Sequence, residues 1–166
     1  MLFRSVPSIE TLLHALVLER TGASFVGHTH PTSVLGLACS DRVADAFAAP
    51  IFPDEVVVCG RAYLVVPYAS PGPELAVVLA EALDRHRAEV GEWPRAVVLD
   101  HHGLLAIGAT AAEVVAVTTM VDKSARIRAA ALAVGELVPL PTVEVAALAD
   151  RADEAHRRRL IVEGRA

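Results

Sequence analysis

Ala96-Val97-Val98-Leu99-Asp100-His101-His102-Gly103-Leu104-Leu105-Ala106-Ile107 is the stretch whose reading decides the fold. Two runs of small aliphatic residues enclose a short polar turn. Runs of this length bounded by turn residues read as strands, here Ala96 to Leu99 and Leu104 to Ile107, with a corner at Asp100 to Gly103.

Working outward, Ala23 to Gly27 reads as a further buried strand that delivers the chain to His28-Thr29-His30-Pro31. Val56 to Val58 and Ala62 to Val66, on either side of Cys59-Gly60-Arg61, read as a hairpin. Pro7-Ser8 before Glu10 to Arg20 predicts an N-capped amphipathic helix stopped by Gly22. Pro31 suits the start of a short helix running toward Cys39. Longer helical patterns cover Glu74 to Arg87, Thr110 to about Val134, and Val143 to about Arg159. The mixture is α+β: a largely antiparallel central sheet flanked by helices. Strict strand–helix–strand alternation is absent, which argues against a doubly wound parallel sheet.

The 166 residues are 54% hydrophobic and 4% aromatic, so the core is built from Ala, Val and Leu. Residues 1–166 read as a single domain that buries roughly 70% of its unfolded surface without disulfide or metal support. A net charge of −5, with Arg157-Arg158-Arg159 as the one basic cluster, argues against a nucleic-acid partner. Cys39 and Cys59 form no C-x-x-C pair and read as free, largely inert thiols of a reducing compartment. Met1 to Pro7 is too short and too soon broken by Pro to be a secretory signal, and no run reaches the roughly 18 apolar residues of a membrane span. Cytoplasmic placement is the expectation.

Fourteen of the 15 basic residues are Arg, leaving Lys123 as the one amine for Schiff-base chemistry. It lies among Asp122, Arg126 and Arg128, a solvated setting that does not lower an amine pKa. The seven histidines are more informative. In extended backbone His28 and His30 point to one side, so two imidazoles can converge on one ion at about 2.0–2.1 Å. His101 or His102 offers a third nitrogen at the other strand end, and Glu10, one turn before His14, a carboxylate. Three neutral imidazoles with one open position suit a catalytic metal site; polar strand ends bonded to backbone or water are the plainer reading. His86 and His156, on helices with charged neighbours, read as solvent-facing. There is no G-x-G-x-x-G, Walker loop or G-x-S-x-G elbow.

Pro7-Ser8-Ile9-Glu10 with His14, then Val26-Gly27-His28-Thr29-His30-Pro31, then Val97 to Leu105, in this order and spacing, resemble the class II aldolase/adducin family. Pro67-Tyr68-Ala69, Pro71-Gly72 and Glu74-Leu75 fit its pattern too. The family includes zinc-dependent sugar-phosphate aldolases and ribulose-phosphate 4-epimerases, with α/β/α layers. The resemblance implies His28, His30 and His102 as metal ligands, His101 as a supporting or surface residue outside the ligand set, and Glu10 as catalytic acid/base. It implies Ser8 as a remnant of the anion site that contacts substrate. Zn2+, or Mn2+ or Co2+ in its place, is the implied cofactor. The implied reaction is lyase cleavage of a carbon–carbon bond in a small sugar-derived or hydroxy-carbonyl substrate through a metal-stabilised enediolate. It also implies a homo-oligomer, a tetramer being favoured. A related epimerase or decarboxylase, an adducin-like scaffold without catalysis, and a metal-dependent hydrolase are the alternatives.

The sequence departs from the family in three places. The Gly-Asn-x-Ser-type phosphate loop that precedes Pro-Ser-x-Glu in family aldolases is absent, Ile9 stands where they carry a second phosphate-contacting Ser, and no Tyr stands near Phe52-Pro53. The expectation is a domain lacking the usual N-terminal segment, with weaker grip on a phosphate.

Overall fold

A computed structural model describes residues 7–164; the reading of residues 1–6 as no secretory leader lies outside them. Among the described residues one sheet has strand order β1-β4-β3-β2, formed by β1 (Phe25–Thr29), β2 (Leu64–Val66), β3 (Ala96–Leu99) and β4 (Gly103–Gly108). β4 pairs antiparallel with both β1 and β3, while β2 runs parallel to β3. The sheet is largely antiparallel, as expected.

Side-chain alternation along β3 and β4 divides the core in two. Ala96, Val98, Leu104 and Ala106 face a cluster with Val34 of α2 (Thr32–Ala38), Phe47 at the end of α3 (Val43–Ala46), Val58 of α4 (Pro53–Cys59), and Val117 and Val121 of α6 (Ala111–Leu132). Val97, Leu99, Leu105 and Ile107 face Leu13 and Val17 of α1 (Thr11–Thr21) and Leu79 and Leu83 of α5 (Pro73–Val90). Helices therefore cover both faces, which is why neither strand alternates with polar residues. Gly27 lets α6 close on β1: a Cβ there would lie 2.5 Å from Val114 Cγ1.

Five expectations need correction. Val56 to Val58 are not a hairpin strand. They lie in α4, because Pro53 at its start, with Asp54 and Glu55 in its first turn, nucleates a helix that outweighs the β-preference of three valines. β2 finds its partner in β3 instead. The C-terminal helix is two, α7 (Thr142–Asp150) and α8 (Ala152–Val162), parted where Arg151 turns extended at ψ 132°. β1 is an edge strand only partly covered, with Phe25 46% exposed. α1 carries Glu10 at its cap position with no side-chain cap bond; the Ser8 carbonyl accepts from Thr11 N–H at 3.0 Å. His86 is buried on α5 rather than solvent-facing, and burial lowers its pKa. Gly22 ends α1 in the left-handed conformation, as read.

One polar network in the core was not foreseen. Glu55 of α4 and Arg128 of α6 form a buried ion pair at 2.5 Å. Tyr63 donates to the same Glu55 oxygen at 2.6 Å, Ser124 donates to it as well, and the other oxygen accepts from Ile51 N–H at 2.7 Å. Arg128 also donates to the Ala46 and Ala49 carbonyls and lies over the Phe47 and Tyr63 rings. The network ties the loop before α4 to α6 with every charge partnered, the condition under which buried charges persist.

Arg128→Leu leaves the buried Glu55 charge without its cation, so it should cost about 3–5 kcal/mol in urea unfolding followed by circular dichroism; a loss below about 1 kcal/mol would show the pair to be dispensable. Cys39 is exposed while Cys59 is buried, and burial pushes its thiol up to about 12. A thiol reagent at pH 8 should therefore label Cys39 alone in the folded protein and both cysteines in denaturant. Equal native labelling would contradict the packing around Cys59.

Candidate metal centre

Antiparallel pairing of β1 with β4 sets Thr29 opposite Leu104 and so brings His28 and His30 alongside the β3–β4 corner. At that corner Asp100 N–H donates to the Val66 carbonyl at 3.0 Å, and His101 takes φ 53°, a left-handed turn. His102 N–H donates to Leu99 carbonyl at 3.1 Å, closing the turn and sending the His102 ring toward β1. α1 begins just after Glu10 and brings its carboxylate to the same place.

Four donor atoms meet there. His28 Nε2 lies 3.1 Å from His30 Nε2 and 3.3 Å from His102 Nε2. Glu10 Oε1 lies 3.1 Å from His102 Nε2 and 3.4 Å from His28 Nε2. All four atoms fall within 4.8 Å of one another. Donors placed about 2.0–2.1 Å from a tetrahedral ion are roughly 3.3–3.4 Å apart, so these separations suit one divalent cation. A single proton could satisfy one pair of these atoms at a time, whereas a cation between them satisfies all four. The cluster can hold a divalent metal.

The surroundings of His28 favour its neutral, lone-pair form. His28 Nδ1 donates to the Leu104 carbonyl at 3.1 Å, which turns Nε2 toward the cluster as an acceptor. Burial lowers the His28 pKa, against the opposite pull of Glu10 and of that carbonyl. For Glu10 burial raises the pKa, but the fields of His28, His102 and His30 and the hydrogen bond with His102 together outweigh it, leaving the carboxyl below its ordinary value.

The remaining predicted residues are placed as follows. His101 is exposed, bonded through Nδ1 to Asp100 at 2.8 Å, and does not join the cluster; His102 does. His14 packs edge-on to His28 at 6.0 Å, with its Nε2 buried and unpartnered among the described residues, so it does not hydrogen-bond Glu10 through that atom. Ser8 is exposed near the start of α1, its hydroxyl 3.2 Å from that of Thr11. Lys123 sits on the surface beside Asp54 and over the Phe52 ring. His156 is exposed, as expected.

Gly103 was missed as a site residue. A Cβ there would lie 2.6 Å from His30 Cδ2 and 2.6 Å from the Thr29 carbonyl, so the His30 ring occupies space that only glycine leaves. Its place directly after His102 was the available signal. Tyr68 packs edge-on against His101 at 6.1 Å, and Ile9 touches the Pro71-Gly72 turn, with Gly72 at φ 116°. The Pro-Tyr-Ala and Pro-Gly stretches therefore border the cluster's loops.

Residues 3–129 match the Class II Aldolase and Adducin N-terminal domain. The chain belongs to the class II aldolase/adducin family. It is 33% identical over 105 residues to an uncharacterised oxidoreductase, YuxG of Bacillus subtilis, covering 63% of this chain and 13% of that protein. An L-fuculose 1-phosphate aldolase superposes with TM-score 0.70 at 27% identity, covering 89% of this chain and 64% of that one. YgbL of Escherichia coli, a putative aldolase/epimerase/decarboxylase, superposes with TM-score 0.70 at 24% identity over 87% of this chain and 66% of that one. The chain thus spans about two thirds of these solved relatives and a small part of YuxG. The mixed α/β architecture, with its sheet between helices, is that of the class II aldolases.

Gly103→Ala should push the His30 ring off its neighbours and weaken divalent-metal binding by about 10–100-fold in competition titrations with a chelating dye. Unchanged affinity would show that the ring has room to move.

Proposed function

We propose that this chain is a divalent-metal-dependent lyase of the class II aldolase type, acting on a small sugar-derived or hydroxy-carbonyl substrate. The observation that carries the reading is the convergence of Glu10 Oε1 with the Nε2 atoms of His28, His30 and His102 at separations a tetrahedral ion requires. The family and the likeness to an L-fuculose 1-phosphate aldolase support it. His28, His30 and His102 would hold the ion, Zn2+ first among candidates and Mn2+ or Co2+ next. When bound, such an ion supplies Lewis-acid polarisation of a carbonyl and of the oxygen beside it.

Glu10 is the proton carrier. Its carboxylate is kept ionised by the surrounding imidazoles, and from its position against His102 it can take a substrate proton and return it, a role worth about 10²–10⁴-fold. The Leu104 carbonyl orients His28, and Gly103 admits the His30 ring. Ser8, at the entrance to α1, is the residue for a substrate oxygen. Tyr63 is committed to Glu55 in the core and Tyr68 to the exposed face beside His101, so neither stands in for the Tyr that family aldolases place near positions 52–53. A homo-oligomer, with a tetramer favoured, and a cytoplasmic setting complete the proposal. Among the described residues no helix is long and apolar enough to cross a membrane.

Purified protein should carry about one equivalent of divalent metal. His28→Ala and His102→Ala should lose it. Glu10→Gln should keep most of it while retro-aldol turnover across a panel of sugars and sugar phosphates falls about 10²–10⁴-fold. Metal-free protein with unaltered affinity in the histidine variants would overturn the reading.

A further inference from the structure

A groove of about 610 Å³, within the size range of small-molecule sites, begins at Pro31, the residue after His30, and runs between the start of α2 and the middle of α6. Its walls carry four hydroxyls, from Thr32, Ser33, Thr118 and Thr119, and one ion pair. The direction of the hydroxyl protons determines what the groove can recognise. Thr118 donates to the Val114 carbonyl and Thr119 to the Val115 carbonyl, both at 2.8 Å. Ser33 donates to Asp122. These three hydroxyls spend their one proton on the protein and keep lone pairs to offer a ligand. Asp122 and Arg126 are paired at 2.7 Å, so the guanidinium is already matched by a carboxylate and the groove has no net positive charge.

An anion gains most from uncompensated positive charge, whereas the one guanidinium here is balanced by Asp122 and three of the four hydroxyls face the groove as acceptors. A neutral polyol, whose hydroxyls donate, meets a row of acceptors. We propose that the Thr32–Ser33–Thr118–Thr119–Asp122 groove binds the unphosphorylated, polyhydroxylated tail of the substrate whose reacting end is handled at the adjoining histidine cluster. The assignment of that end rests on the function proposed above. The reading also accords with Ile9 in place of a phosphate-contacting Ser: one residue withholds a contact from phosphate and the groove supplies contacts to hydroxyls.

The test is amide chemical-shift mapping of the full chain with ribitol and with glycerol 3-phosphate, each titrated to the same concentration. Ribitol should move the amides of residues 32, 33, 118 and 119 more than glycerol 3-phosphate does. Thr118→Val, which keeps shape and removes the acceptor, and Ser33→Ala should each weaken ribitol binding roughly two- to tenfold. The spectra themselves report whether each variant is folded. Glycerol 3-phosphate moving these amides as strongly as ribitol, or neither probe moving them, would overturn the proposal. Metal content of the same samples is read separately: ribitol binding in a protein with no metal affinity sinks the proposed function and leaves the groove assignment standing.

Discussion

The antiparallel register between β1 and β4 is the constraint on which the rest depends. With Thr29 opposite Leu104, the end of β1 lies beside the β3–β4 corner, so residues distant in sequence share one small volume. A one-residue slip would send His28 and His30 to the opposite side of the sheet from His102. Burial enforces the register: Leu104 and Leu105 face opposite helical layers and are both fully enclosed, so neither can be turned toward water without loss of core.

That scaffold explains the chemistry of the cluster. Burial of His28 disfavours its charge, against the opposite pull of Glu10. The hydrogen bond with His102 and the fields of the neighbouring imidazoles hold the Glu10 carboxyl below its ordinary pKa. The surrounding parts are chosen for shape as much as for polarity: Gly103 for the space it leaves His30, Leu104 for its carbonyl, and Gly27 for the approach of α6 that holds β1 in place.

Much of this was legible in the sequence because the deciding signals were local. The runs around Asp100-His101-His102-Gly103, the two-residue spacing of His28 and His30, and the stop at Gly22 each carry their meaning in a few adjacent residues. The choice of His102 over His101 came from resemblance, and its physical cause, the left-handed turn at His101, is visible only in the fold. What escaped was non-local. Val56 to Val58 have strand propensity, but Pro53 and the docking of α4 on α6 decide otherwise. Glu55 and Arg128 are 73 residues apart, and nothing in either neighbourhood announces a buried pair. His86 reads as a surface residue from its charged neighbours, yet its own side chain turns inward.

The central claim of the proposed function is that three imidazoles hold one ion beside the Glu10 carboxylate. X-ray absorption at the zinc edge of the zinc-loaded protein tests it most directly. The account predicts a four-coordinate nitrogen and oxygen shell at about 2.0–2.1 Å, with outer-shell scattering from three imidazole rings, and loss of that signal with the bound zinc in His102→Ala. A six-coordinate all-oxygen shell, or a spectrum indifferent to loss of His102, would contradict it.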